Sequence, residues 1–231
     1  MSKYSSLKRK AYECNMDLPK YGLVIYTFGN VSCIDRNEGV YAIKPSGMPY
    51  EDLKPDDMVI VDLNNNVIEG NFKPSSDTKT HTVLYNNFPK IGGIVHTHSN
   101  YAVSWAQAKK PVPILGTTHA DHLSVDIPVT KMMSDEAIKG DYETETGNQI
   151  IELFKDLPYE EIQMVLVAGH GPFTWGVTPD KAVYNSVVLE ALSKMAYYTV
   201  TINKDITRIK DSLIKKHHNR KHGVDAYYGQ K

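Results

Sequence analysis

The spacing of apolar residues changes from helical to strand-like early in the chain. Leu7, Ala11, Cys14 and Leu18 recur at intervals of three and four, and Pro19 follows, which predicts an amphipathic helix ending near residue 18. Short runs rich in β-branched and aromatic residues then predict strands at 23–27, 40–43, 58–62 and 67–69. Three asparagines join the last two runs, so these two are expected to form a hairpin.

Helical and strand-like patterns alternate through the remaining sequence. The predicted elements are a helix at 78–88, a buried strand ending at His96, a helix at 101–109, a strand before His170, a long helix around 183–195 and a last helix from about 205 into a basic tail. No repeat, low-complexity tract or linker interrupts the pattern. We therefore expect a single mixed α/β domain over residues 1–231, with helices packed on a sheet.

Composition and charge exclude several classes of function. The 231 residues carry a formal net charge of −1, whereas nonspecific nucleic-acid binding requires a concentrated positive surface. The only dense basic segment is 215–222. We expect a small ligand and no nucleic acid.

Cysteine spacing and the distribution of apolar residues indicate the cellular compartment. Cys14 and Cys33 show no paired spacing that would indicate a disulfide framework. Residues 1–10 lack the apolar core of a signal peptide, and no stretch of roughly 18 apolar residues could span a bilayer. These features predict a cytoplasmic protein without a membrane partner.

Three histidines carry the strongest chemical signal. His96 and His98 alternate at the end of an apolar strand, so both imidazoles are expected to point the same way and reach one metal ion. His170 ends a second apolar strand and precedes Gly171-Pro172, which is expected to break that strand. A lone histidine beside a strand is more often structural, but three at strand termini favour a metal centre with an open fourth position.

Asp77 adds a carboxylate whose role has two interpretations. In the functional interpretation, it is a fourth metal ligand or a group acting on the substrate. In the structural interpretation, which is about equally well supported, it is an ordinary acidic residue at a helix N-terminus. Three nearby segments suit a phosphate, because each places hydroxyls, amides or a lysine beside a turn: Gly29-Asn30-Val31-Ser32, Lys44-Pro45-Ser46-Gly47 and Lys73-Pro74-Ser75-Ser76.

Two further candidates are acid–base groups. Asp121, in a polar stretch with Thr117, is a possible general base. Tyr227 and Tyr228 lie unusually close to the end of the chain, and either they pack the tail down or one phenol serves as a proton donor.

As an ordered set over residues 5–230, these motifs resemble the L-ribulose-5-phosphate 4-epimerases of the class II aldolase superfamily. The resemblance implies a three-layer α/β/α fold with a central, largely antiparallel sheet. It also implies a homotetramer with active sites at subunit interfaces, a phosphorylated ketopentose substrate and one Zn²⁺ per subunit. The matching metal ligands are His96, His98 and His170, together with Asp77, which stands where the aldolase branch carries a glutamate.

The resemblance also assigns roles to the remaining candidates. Asp121 and Tyr228 match the catalytic acid–base pair, and the tail from about residue 215 to 231 would complete a neighbouring subunit's site. The matching substrate-binding residues are Asn30, Lys44, Ser46, Gly47, Ser75, Ser76, Thr117, His217 and Arg220. The family has an aromatic residue after the first histidine of the tail, whereas here His218 follows His217, which leaves the two histidines as alternatives.

The implied reaction interconverts L-ribulose 5-phosphate and D-xylulose 5-phosphate by breaking and re-forming C3–C4. The metal would act as a Lewis acid that stabilises the enediolate fragment, while glycolaldehyde phosphate rotates in place. Alternatives are a class II sugar-phosphate aldolase, which Asp77 disfavours, and a non-catalytic scaffold like the adducin head domain, which the three histidines disfavour.

Overall fold

A seven-stranded sheet forms the centre of the protein. The computed structural model describes residues 2–224, 226, 227 and 229. The strands are β1 (Asn30–Asp35), β2 (Val40–Ile43), β3 (Val59–Asp62), β4 (Val67–Glu69), β5 (Gly93–His96), β6 (Met164–Val167) and β7 (Gly171–Gly176). They lie in the order β4-β3-β2-β1-β5-β7-β6, and each neighbouring pair is antiparallel.

Eight helices surround the sheet within the described residues. They are α1 (Ser5–Lys20), α2 (Thr78–Asn87), α3 (Asn100–Ala108), α4 (Thr117–Ala120), α5 (Asp135–Lys139), α6 (Tyr142–Leu153), α7 (Pro179–Ile202) and α8 (Asp211–His222). A single 3₁₀ turn, Pro55–Asp57, precedes β3. None of these helices is long and apolar enough to cross a membrane.

Alternation along the strands divides the helices between two faces. In β2, Tyr41 and Ile43 join a core cluster that includes residues of α2 and α6, whereas Val40 and Ala42 join a cluster that includes α1. Side chains on a strand alternate faces, so a strand buried on both sides requires a layer of helices on each. The predicted α/β/α fold with an antiparallel sheet is confirmed.

The middle of the sheet is fixed in register by strands on both sides of β5. His96 pairs with Asn30 across to β1 and with Phe173 across to β7. Because the strand period is two, this register decides which face His96 occupies. The two pairings therefore direct the side chain of His96 into the site described below.

Some local predictions were wrong. Residues 23–27 do not form a strand, because Tyr26 has φ +53° and residues 26–27 form a turn; the strand β1 begins at Asn30 instead. Gly171 and Pro172 open β7 rather than ending a strand, and His170 lies in the turn before it. The last helix starts at Asp211, not near 205, and α1 continues through Pro19 to Lys20.

Candidate metal and phosphate site

Three histidines meet where β5 and the β6–β7 turn lie side by side. His96 is the last residue of β5, His98 follows in the loop before α3, and His170 occupies the turn between β6 and β7. One nitrogen from each ring lies within 4.8 Å of the other two. The antiparallel pairing of β5 with β7 explains the convergence, since it brings the end of one strand beside the start of the other.

The donor set fits a divalent transition metal. His96 Nδ1 donates to the carbonyl oxygen of Pro172 at 2.9 Å, which leaves the lone pair on Nε2. His170 Nδ1 is buried and has no hydrogen-bond partner among the described residues. Neutral imidazole nitrogens with one ring orientation fixed by a backbone carbonyl are the usual ligands of zinc-like ions.

The protonation of these rings favours metal binding. Burial and the neighbouring His96 lower the pKa of His170 to about 3. Burial is also the main cause of the lowered pKa of His98. Both rings are therefore unprotonated at neutral pH, so no proton has to be displaced from them when a metal binds.

Asp77 faces the same cavity but is bonded to an amide. Its Oδ2 accepts a hydrogen bond of 2.7 Å from Asn30 Nδ2, and it is not part of the set of three close ligand atoms. Burial by itself raises the pKa of Asp77, but His96 and the other nearby imidazoles outweigh it and hold the pKa below the usual value. Asp77 is therefore an ionised carboxylate beside the histidines. Asn30 Oδ1 is buried and has no hydrogen-bond partner among the described residues, so it can accept a hydrogen bond from a ligand hydroxyl.

The two Lys-Pro-Ser segments lie against each other at the other end of the cavity. Ser46 donates its backbone N–H to Lys73 O at 2.9 Å, and Ser75 donates its own to Lys44 O at 3.0 Å. An isolated antiparallel bridge between the two prolines joins the segments. Two turns that are far apart in sequence thus form one rim of hydroxyls and backbone amides.

Lys44 supplies a buried cation to this rim. The residue is 1% exposed, and its Nζ contacts only the carbonyl oxygens of Thr27 at 3.4 Å and Pro45 at 3.5 Å among the described residues, above the Tyr50 ring. Burial lowers the pKa of Lys44 to about 8. No carboxylate balances this ammonium group in the described structure, so an anionic ligand would stabilise it.

Gly29 permits the close packing of the cavity wall. Its φ is +76°, and a Cβ there would lie 2.9 Å from His96 O and 2.8 Å from a methyl group of Val24. Only glycine tolerates both the backbone angle and the approach. This contact sets β1, and with it Asn30, directly against the histidine cluster.

A cavity of about 290 Å³ connects these groups. Its lining includes ten of the predicted site residues: Asn30, Lys44, Ser46, Gly47, Ser75, Ser76, Asp77, His96, His98 and His170. It also includes four residues that the sequence did not single out: Thr27, Phe28, Tyr142 and Glu143. Tyr142 and Glu143 begin α6, where an acidic residue is an ordinary helix-start feature, so no sequence signal distinguished them.

Three of the remaining predicted residues, Asp121, His217 and Arg220, form a second polar group that does not line this cavity. Arg220 donates to both carboxylate oxygens of Asp121, at 2.9 and 2.6 Å, and His217 Nδ1 lies 3.0 Å from Oδ1. Thr117 starts the helical turn that ends at Asp121. His217, and not His218, contacts the aspartate. Tyr228 lies outside the described residues.

The pKa of Asp121 reflects two opposing effects. Burial raises it, but the hydrogen bonds from Arg220 and His217 lower it below its ordinary value. Asp121 is therefore an ionised carboxylate at neutral pH.

A buried hydrogen-bonded chain supports the floor of the histidine site. Ser32 Oγ lies 2.7 Å from both His81 Nδ1 and the Tyr85 hydroxyl. Burial lowers the pKa of His81 to about 3, so the ring is neutral. Because α2 carries both Asp77 at its start and His81 one turn later, this chain ties the helix to β1 beneath the site.

Comparison with known proteins agrees with this geometry. Two proteins named L-ribulose-5-phosphate 4-epimerase UlaF, from Salmonella paratyphi C and Salmonella choleraesuis, are each 51% identical over 225 residues, which is 97% of this chain and 99% of theirs. A solved structure titled L-fuculose 1-phosphate aldolase superposes with a TM-score of 0.75 at 24% identity, covering 95% of this chain and 97% of its own, which shows the common fold. Residues 9–197 match the family model described as the class II aldolase and adducin N-terminal domain. This chain therefore belongs to the class II aldolase and adducin N-terminal domain family.

Proposed function

We propose that this protein is a zinc-dependent L-ribulose-5-phosphate 4-epimerase, which interconverts L-ribulose 5-phosphate and D-xylulose 5-phosphate. The observation that carries the proposal is the single cavity in which three histidine ligands face a buried lysine and two serine-rich turns. A phosphorylated ketose needs both features, because its oxygen-rich end suits a metal and its phosphate suits fixed donors with a cation. The 51% identity with proteins named for this activity supports the same conclusion.

His96, His98 and His170 would hold the metal, and Asp77 is the candidate fourth ligand. Bound there, Zn²⁺ supplies Lewis-acid polarisation of the ketose carbonyl and the adjacent hydroxyl. Imidazole ligands also accept other divalent transition ions, so the donor set selects a class of metal, of which zinc is the proposed member.

Asn30 and Asp77 orient the substrate on this side of the cavity. The free Oδ1 of Asn30 accepts a substrate hydroxyl, while its Nδ2 fixes the carboxylate of Asp77 at 2.7 Å. An aspartate held by an amide is short and immobile, and it is less suited than a glutamate to reach a carbon-bound proton. This argues for epimerisation over the proton-transfer chemistry of an aldolase.

Lys44 and the turns at Ser46 and Ser75 anchor the phosphate. Cleavage of C3–C4 yields glycolaldehyde phosphate, which must stay bound while its aldehyde rotates and the bond re-forms with inverted configuration at C4. Several fixed donors and a buried ammonium hold the phosphate end while the aldehyde end turns. Retention of this fragment is what separates an epimerase from an aldolase.

The acid–base pair is Asp121 with Tyr228, acting on opposite faces of C4. One group removes the proton of the C4 hydroxyl during cleavage, and the other returns a proton to the new alkoxide. Asp121 does not line the cavity of its own chain. We therefore place the Asp121, His217 and Arg220 group, with the tail to residue 231, at the cavity of a neighbouring subunit in a homotetramer of single-domain chains.

The proposed location is the cytoplasm. Both cysteines are free thiols, and a phosphorylated pentose is a charged metabolite.

A coupled assay with L-ribulose 5-phosphate tests the function. The purified protein should form D-xylulose 5-phosphate, lose activity on chelation and recover it with Zn²⁺. Net release of a triose or of glycolaldehyde phosphate would instead identify an aldolase. A folded, metal-free protein without turnover would identify a scaffold.

A further inference from the structure

A second cluster of histidines lies away from the cavity described above. His218 and His222 are one turn apart on α8, and their ring centroids are 4.7 Å apart. Together with His122 and Glu161 they line a separate cavity of about 380 Å³. The proposed reaction uses none of these four side chains.

We propose that His218 and His222 form a second binding site for a divalent transition metal such as Zn²⁺. Histidines at i and i+4 project from the same face of a helix, which is the spacing by which a single helical turn supplies two ligands to one ion. Imidazole favours zinc, nickel, cobalt and copper over magnesium or calcium. Water would complete the coordination, since the described residues bring no third histidine, cysteine or carboxylate ligand atom close to this pair.

The hydrogen bonding of His222 prepares it as a ligand. Its Nε2 lies 3.0 Å from the backbone carbonyl oxygen of Asp121. A carbonyl only accepts, so Nε2 carries the proton and the lone pair resides on Nδ1. A ring N–H donated to a backbone carbonyl is the arrangement commonly found around metal-bound histidines.

The charges around the cavity act on a bound cation in both directions, because the two nearby lysines oppose it while Glu161 and the helix end favour it. The site lies at the C-terminal end of α8, where the helix dipole favours positive charge, and Glu161 is close enough to His218 to interact with it electrostatically. Two lysines flank the cavity, but Lys181 lies over the Tyr184 ring at 4.3 Å and Lys221 Nζ is 4.0 Å from Asp121 Oδ2.

Burial disfavours the protonated form of His122 and of His218. Burial, then Lys221 and Lys181, lowers the pKa of His122 to about 4, and burial and His222 lower the pKa of His218. When a ring is neutral, few protons compete with the metal for its nitrogen lone pair.

Metal binding there would act on the group around Asp121. The helix that carries His218 and His222 also carries His217 and Arg220, which bond the Asp121 carboxylate. A metal on the last turn would therefore fix that helix against the Asp121 loop. This gives a second ion a structural effect on the group that we assign to the neighbouring active site.

Zinc stoichiometry measured by equilibrium dialysis and elemental analysis tests the proposal on the full-length protein. Wild type should bind two equivalents of Zn²⁺ per chain. At the same free zinc concentration, His218→Gln and His222→Gln should each bind one equivalent, because their affinity at the second site should be at least about tenfold weaker than that of wild type. Lys215→Gln, at an exposed position of the same helix outside the cavity lining, should keep both equivalents.

The outcomes separate this proposal from the proposed function. If the histidine triad binds no metal, wild type binds one equivalent and His218→Gln binds none. If both glutamine variants bind as much zinc as wild type, the second site does not exist. Far-UV circular dichroism checks that the variants are folded. Melting temperature gives an independent readout: Zn²⁺ should raise it in His98→Asn but not in the double variant His98→Asn/His218→Gln.

Discussion

Arg220 binds Asp121 through two parallel hydrogen bonds, Nε to Oδ1 at 2.9 Å and Nη2 to Oδ2 at 2.6 Å. Bidentate pairing of this kind fixes the plane of a carboxylate as well as its charge. The two residues are 99 positions apart, so the pair also attaches the C-terminal helix to the middle of the chain. Orientation of Asp121 thus depends on the same C-terminal tail that contains Tyr228, the other member of the proposed acid–base pair.

Replacing Asp121 with asparagine should remove a proton acceptor without disturbing the metal. We expect kcat for epimerisation to fall by roughly 10²–10⁴-fold, the usual contribution of a general base, while bound zinc stays unchanged. Steady-state kinetics and elemental analysis measure the two quantities. Asp126→Asn is the matched control, because Asp126 also lies near an arginine, Arg208, at 4.0 Å but has no role at the site. Equal losses in the two variants would contradict a catalytic role for Asp121.

Tyr228→Phe should produce the same kinetic pattern by a different route. Removal of one phenolic oxygen eliminates a proton donor to the C4 alkoxide and leaves the size of the side chain almost unchanged. Turnover should fall strongly with metal content preserved, whereas Tyr227→Phe should retain most activity. Unchanged turnover in Tyr228→Phe would remove this tyrosine from the mechanism.

His98→Asn should weaken metal binding with little effect on the fold. His98 is the most exposed of the three histidines and lies in a loop, so the sheet does not depend on it. Losing one of three protein ligands should lower zinc affinity by about tenfold or more and lower activity in parallel. Zinc competition with a chromophoric chelator measures affinity, and far-UV circular dichroism checks the fold. A variant that binds zinc as tightly as wild type would show that the triad is not the metal site.

Lys44→Met should weaken binding of the substrate phosphate. A hydrogen bond to a charged group contributes about 1.5–3 kcal/mol, so KM should rise by roughly 10- to 100-fold, while Lys73→Met, outside the cavity lining, should change KM little. Inorganic phosphate should raise the melting temperature of wild type but not of Lys44→Met.

The pH dependence of binding provides a second test of Lys44. With a pKa of about 8, its ammonium form predominates below that pH and is lost above it. In wild type, kcat/KM should therefore decline as the pH rises past about 8, although bound phosphate shifts the decline upward. A Lys44→Met enzyme should lack this alkaline decline, and a wild-type profile that stays flat to pH 10 would contradict the assignment.

Tyr85→Phe should destabilise the fold and leave the chemistry of the site largely unchanged. The substitution removes the hydroxyl that lies 2.7 Å from buried Ser32 Oγ and leaves that serine with one partner fewer. We expect the free energy of unfolding to fall by about 1–3 kcal/mol. Urea denaturation measures this loss, and zinc content should equal that of wild type. No measurable change in stability would show that the Ser32 chain does not support α2.

The sequence predicted those parts of the site that a local pattern of apolar and polar residues can reveal. The strand ending at His96 and the apolar run that ends shortly before His170 were predicted because apolar runs stop abruptly at a polar residue. Reliance on apolar runs also explains the wrong strand at 23–27. This run is apolar, but not all of its side chains are buried: Ile25 and Tyr26 are 51% and 85% exposed. Periodicity does not reveal which apolar run the core uses.

Other features depended on long-range contacts that no local pattern contains. Tyr142 and Glu143 reach the cavity because α6 packs on α2, and the two Lys-Pro-Ser turns meet through a bridge between residues 29 positions apart. The pairing of Asp121 with Arg220 is of the same kind. Motifs identified Asp121, Arg220 and the two Lys-Pro-Ser turns as candidates but not Tyr142 and Glu143, and only the fold shows that the candidates form two separate groups.

The register of β5 makes the site sensitive to insertions and deletions. His96 faces the cavity because it is paired with Asn30 on one side and Phe173 on the other. Removing one residue from this strand would leave its hydrophobicity nearly unchanged, yet it would rotate His96 to the opposite face and separate it from His170. An ion bound by both histidines would in turn connect β5 to the β6–β7 turn, so the metal would act as a crosslink that penalises any slip of the central strands.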